Sequence, residues 1–106
     1  MADIPRQFEI DLPPDLIGGS YADFANVWHT QTVFVMDFVT LAQPPREEVD
    51  PETGDRRTVV PARVVSRIRI PPEQVFELAK ALTQQLEFWE QETGRRPPPN
   101  APLMEE

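Results

Sequence analysis

Two stretches of the chain carry the hydrophobic pattern of a folded domain. Residues 21–38, YADFANVWHTQTVFVMDF, are rich in aromatic and β-branched side chains, the types that suit a pleated, half-buried surface. Residues 61–74, PARVVSRIRIPPEQ, hold a second such run and lead straight into an amphipathic segment. The first stretch predicts a β-hairpin of residues 21–29 and 32–42, joined by His29-Thr30-Gln31-Thr32. No Asn-Gly turn is present, so the pattern leaves its register open. A third long strand is predicted over 58–70. Its parity places Val60, Ala62, Val64, Ser66, Ile68 and Ile70 on one face, and Arg63, Arg67 and Arg69 on the other. Upstream, Phe8, Ile10 and Leu12 alternate with Glu9 and Asp11, which predicts a short half-buried strand ended by Pro13-Pro14.

The helix that follows has clear limits. Pro72 suits the first helical position, where a missing N–H costs nothing, and Glu73 favours the positive end of the helix dipole. The 3.6-residue period continues to Thr93 and stops at Gly94, a residue that tolerates a left-handed cap. Val75, Leu78, Ala79, Leu82, Leu86 and Trp89 fall on one stripe, with Phe88 nearly opposite. Burying such side chains is worth ~1.5–3 kcal/mol each, so the helix is expected to lie on the sheet. Residues 43–57, charged and turn-rich, read as an exposed loop. The expected fold class is α+β: an antiparallel sheet of three to four strands with one long C-terminal amphipathic helix on one face. A flexible N-terminus (1–6), a single domain (7–93) and a Pro-rich extended tail (94–106) complete the organisation. The 13 prolines fall at the borders of these elements, as residues without an N–H must.

One helix covers one sheet face. The second predicted strand is apolar on both parities, Val33, Val35, Val39 and Leu41 one way and Phe34, Met36 and Phe38 the other. A strand buried on both faces needs a layer on each. The second cover is expected from another copy of the chain or from a different protein, with Phe34, Met36, Phe38 and Phe88 as the interface. The alternative is that the N-terminal segment folds over this face.

Charge and composition narrow the function classes. At 106 residues the chain has room for one core. Eighteen acidic against 10 basic residues give a net charge of −8, a field that repels nucleic acid and anionic membranes. There are no cysteines, which excludes thiol chemistry. MADIPRQFEIDL carries charges where a signal peptide needs an apolar core, and no apolar run approaches the ~20 residues of a membrane helix. A cytoplasmic location without membrane attachment is expected.

Candidate chemistry is sparse. His29, the single histidine, could carry a proton or bind a ligand; hydrogen bonding within its turn is the preferred reading. A zinc site needs three or four converging ligands, and none is expected. Asp37, inside an apolar strand, could act as a general base if its pKa rose. Pairing with Arg63 or Arg67 is preferred, since buried charges are normally paired. Asp50, Glu52 and Asp55 lack the spacing of a calcium loop. Five arginines and no acid lie between Arg56 and Pro72, so Arg63, Arg67 and Arg69 could contact nucleic acid. The overall charge argues against it. No catalytic residue, cofactor or metal is expected, and the chain does not read as an enzyme.

The ordered succession Tyr21, Phe24, Val27, His29, Thr30, Phe34, Asp37, Phe38, then Ala62, Arg63, Val64, Val65, Arg67, Ile68, Pro72 and Glu73 resembles a family of small bacterial and archaeal proteins of unknown function. Its members carry Tyr-x-Asn-Phe, Val-x-His-Ser, Phe-x-Leu-Asp-Phe and Ala-Arg-Val-Val-x-Arg-Ile motifs, the last leading to Pro-Glu-His and a helix. The match spans roughly residues 8–90. Asp23, Thr30 and Gln74 stand where the family has Asn, Ser and His, so the resemblance implies no histidine chemistry here. The layout of strands followed by a helix is also similar to that of SecB-type export chaperones, in topology alone. The functional expectation is a non-enzymatic, self-associating scaffold or adaptor. A SecB-like holdase and a nucleic-acid accessory protein are the alternatives.

Overall fold

The computed structural model describes residues 4–96; most of the expected Pro-rich tail and half of the expected flexible N-terminus lie outside them. Five strands, β1 (Phe24–His29), β2 (Phe34–Leu41), β3 (Arg46–Val49), β4 (Arg56–Val59) and β5 (Ala62–Ile70), precede one helix, α1 (Pro72–Thr93). The order β1-β2-β5 makes an antiparallel three-stranded sheet, and β3-β4 a separate two-stranded one. The fold is α+β.

The β1–β2 turn is built around Thr30. Its backbone N–H donates to the Val33 carbonyl at 2.8 Å, while its hydroxyl oxygen accepts the Thr32 and Val33 N–H groups, each at 3.2 Å. The side chain thus does locally what an Asn-Gly backbone would do elsewhere. Trp28 then faces Val35, Asn26 faces Asp37, and Phe24 faces Val39. At the other end Asp23 accepts the Leu41 N–H at 2.8 Å and the Thr40 hydroxyl at 3.0 Å, tying the start of β1 to the end of β2.

Two departures from the sequence pattern concern the third strand. Val60-Pro61 divides it, because Pro61 has no N–H to give a ladder. Residues 56–59 instead pair with 46–49, so the charged segment read as a loop contains an exposed hairpin. Its tight end is closed by the Gly54 N–H on the Asp50 carbonyl (2.8 Å), with Gly54 at φ 77°. In effect β2–β3 and β4–β5 are the arms of one long hairpin, interrupted at Pro44-Pro45 and Pro61 and clasped there by the Ala42 N–H on the Pro61 carbonyl at 2.9 Å.

The second departure is a β-bulge in β5. Phe38 pairs with Ser66 and Val39 with Val64, which leaves Val65 as the extra residue. The alternation therefore reverses there. Arg67 and Arg69 lie beside Asp37 and Val35, whereas Arg63 lies beside Thr40 on the opposite face. The single arginine stripe of the parity argument does not exist.

The buried residues among those described, Val35, Asp37 and Val39, all belong to one face of β2. Opposite them, Phe34, Met36 and Phe38 are half-buried, with exposed Val27 and Ile68 beside them. The helix keeps its predicted limits: Pro71 precedes it, and Gly94, at φ 71°, ends it by donating to the Glu90 carbonyl at 2.8 Å. It does not bury its stripe on its own sheet. Val75 and Leu78 are half-buried, but Leu82, Leu86 and Trp89 remain exposed, and α1 has no buried residue. Nor do Phe8, Ile10 and Leu12 form a strand in the single chain; they are unpaired and exposed.

Val35→Ala should lower unfolding free energy by about 1–3 kcal/mol, as loss of a buried branched side chain does. Val49→Ala, on the exposed hairpin, should stay within about 0.5 kcal/mol. Urea titrations followed by tryptophan fluorescence measure both. Equal losses would show that the β3–β4 hairpin contributes to the core.

Candidate interaction surface

A polar cluster crosses the three-stranded sheet on its more buried face. Arg67 reaches from β5 to donate Nε to Asp37 Oδ1 at 2.6 Å and Nη2 to Oδ2 at 2.9 Å, a bidentate pair. From β1, Trp28 Nε1 approaches Asp37 Oδ2 at 3.4 Å. The Arg67 guanidinium also lies 5.7 Å from the centre of the Trp28 ring, within cation–π range. The hydrogen bonds from Arg67, then that from Trp28, hold the Asp37 carboxyl below the usual carboxylate range, against the opposing pull of desolvation. Asp37 is thus an ionised acceptor, the reverse of what a general base with a raised pKa requires. Asp23 is likewise held low, chiefly by the Leu41 N–H.

The remaining candidate residues are dispersed. His29 stacks on Phe34 at 5.3 Å between ring centres. Arg63 lies on the other face from Arg67. Asp50 caps its own turn by accepting the Glu52 N–H at 2.8 Å. Among the described residues no three His, Cys, Asp or Glu side chains converge as a metal set. Phe34, Met36 and Phe38 share one face of β2; Phe88 is exposed on the helix.

A groove of about 430 Å³ opens beside Phe38, with Leu16, Gly19 and Ala22 on one wall and Val65 and Ile68 on the other. The segment before β1 therefore borders the Phe34 face at one end and leaves Val27 and Ile68 uncovered. The sequence contains little signal for this wall: Gly18-Gly19 marks a bend, but nothing in the pattern says where the bend directs the chain.

What the structure leaves exposed is more informative than any single site. The accessible surface is 10233 Å², against about 6,000 Å² for a compact monomer of this mass. The excess is about 4,000 Å². Residues 1–3 and 97–106, even if counted at the exposure of an unfolded chain, would account for about half of it. Much of the excess is apolar: Phe76, Leu82, Leu86, Phe88 and Trp89 on α1, and Phe8 and Ile10 before the sheet.

Comparison with known proteins assigns the chain to a family without assigning an activity. Residues 1–95 match the family model described as a protein of unknown function, DUF3467. The chain belongs to the DUF3467 family. No match was found among curated proteins or solved structures. For this DUF3467 member, no helix among the described residues is long and apolar enough to cross a membrane.

The ion pair gives a pH signature. A carboxylate whose folded pKa is depressed contributes stability above its unfolded value, near 3.8, and loses it as pH falls through the folded value. Wild-type melting temperature should fall steeply below about pH 4. Asp37→Asn should melt lower at pH 7 and show a shallower acid slope. Arg67→Leu, which strands the carboxylate, should lower the melt more than Arg63→Leu. Differential scanning calorimetry from acid to neutral pH measures all three; identical acid slopes for wild type and Asp37→Asn would refute the assignment.

Proposed function

We propose that this protein is a non-enzymatic, self-associating interaction module, a scaffold or adaptor whose folded unit is completed by a second copy. One observation carries the reading: beyond Val75 and Leu78, the apolar stripe of α1 has no cover among the described residues. Leu82 is 62% and Leu86 45% exposed, although their spacing is that of a buried helix face. A monomer rarely presents such a contiguous surface, and large exposed apolar patches mark association sites. The half of the surface excess that the terminal residues do not account for, about 2,000 Å², is of the size that a stable interface removes from water.

Two faces are available for this completion, the α1 stripe and the sheet face of Phe34, Met36 and Phe38. Phe88, nearly opposite the stripe, is left to meet a different protein once the stripe is covered. The acidic surface keeps such an assembly soluble. The nucleic-acid alternative draws less support, because Arg67 is engaged by Asp37 and the bulge puts Arg63 on the opposite face from Arg69.

Sedimentation equilibrium at micromolar concentration should give a multiple of the single-chain mass, 12.1 kDa. Because Leu82 and Leu86 are exposed in the single chain, truncating them should weaken assembly before it weakens the sheet. Leu82→Ala should raise the dissociation constant about 10–100-fold, from ~1.5–3 kcal/mol of lost burial. A wild-type protein that sediments as a single chain throughout would overturn the proposal.

A further inference from the structure

We propose that residues Phe8–Leu12 form a sixth strand that adds, in trans, to the free edge of β5 in a second copy of the chain. This rests on the self-association reading and specifies its mode. β5 pairs with β2 on one side only, and its other edge is open among the described residues. An open edge is a template for strand addition. The segment at 8–12 has the alternation of a half-buried strand but is unpaired in its own chain, with Phe8 83% and Ile10 91% exposed.

Both parities of the two elements match. After the bulge, β5 presents Ser66, Ile68 and Ile70 on the Phe34 face and Arg67 and Arg69 on the other. The segment presents Phe8, Ile10 and Leu12 on one side and Glu9 and Asp11 on the other. Antiparallel addition with Ile10 opposite Ile68 sets Phe8 against Ile70 and Leu12 against Ser66. It also sets Glu9 against Arg69 and Asp11 against Arg67, whose guanidinium side chain is more than half exposed beside Asp37. Opposite charges and apolar pairs directly across a ladder are each stabilising. Pro13-Pro14 then falls opposite Val65-Val64, where the bulge already disrupts the ladder. β1 offers no such match: its two parities are Phe24, Asn26, Trp28 and Ala25, Val27, His29, with no arginine for Glu9 or Asp11.

Addition in trans extends the Phe34 face by one strand and packs three exposed apolar side chains beside Ile68 and Ile70. The segment after it, residues 15–22, remains on its own sheet beside Phe38, so the strand bridges the two copies.

The cysteine-free chain makes the test clean. An Ile10→Cys chain and an Ile68→Cys chain, refolded together and oxidised, should give a band at the mass of two chains that reductant abolishes. Neither chain alone should give it. An Ile10→Cys/Ile68→Cys double variant that closes its disulfide within a single chain would show pairing in cis and overturn the proposal. So would a mixture without the band. As a second arm, Glu9→Arg should weaken association about tenfold, and Arg69→Glu in the same chain should restore it; failure of rescue refutes the register. A missing cross-link with an intact dimer by sedimentation rejects this inference alone. A monomer by sedimentation rejects the self-association reading as well.

Discussion

Asp37 sits at the centre of the middle strand, buried, and a carboxylate there is tolerated only with its partners in place. That requirement fixes the sheet. Arg67 must lie directly across on β5 and Trp28 must lean in from β1, so both neighbouring strands are held in register by one group. A slip of one residue would send Asp37 to the Phe34 face and strand Arg67. The hydrophobic pattern of β2 could not have fixed the register alone, because it is apolar on both parities. The ion pair supplies the directional information that the aliphatic residues lack.

The same constraint explains where irregularity is allowed. Between Phe34 and Phe38 the β2–β5 pairing is uninterrupted, and the bulge at Val65 comes only after Arg67 has been placed. Beyond it, the pairing tapers to the Ala42–Pro61 hydrogen bond and the prolines that separate the two sheets. Order is concentrated around the charge and relaxes away from it.

How much of this is legible in the sequence follows from which signals are local. The hairpin, the helix and its Gly94 end can be read because turns, β-branched runs and caps are decided within a few residues. The Asp37 pair can be read as one with Arg63 or Arg67 of the third strand, because buried charges are normally paired, but the choice between them depends on a bulge. An inserted residue leaves no mark in an alternating sequence, and Val64-Val65 reads equally well either way. The β3–β4 hairpin is hidden by its composition: REEV and RRTV are charged strands whose pairing rests on backbone ladders and on exposed pairs such as Arg57–Glu48 at 3.1 Å. The α1 stripe and the Phe8–Leu12 alternation mark surfaces that want cover. Assigning that cover to the same chain goes further than periodicity allows, since a pattern records that a face is apolar and says nothing of which molecule meets it.

The proline joint at residues 43–45 and 60–61 separates the β3–β4 arm from the central sheet. The clasp between Ala42 and Pro61 closes the ladder below it, so the arm can be lengthened or shortened by matched pairs of residues without disturbing Asp37 and Arg67. Insertions and deletions within a lineage would then accumulate at this arm in steps of two. The arm is where such a protein can diversify in length and charge while its central sheet stays the same.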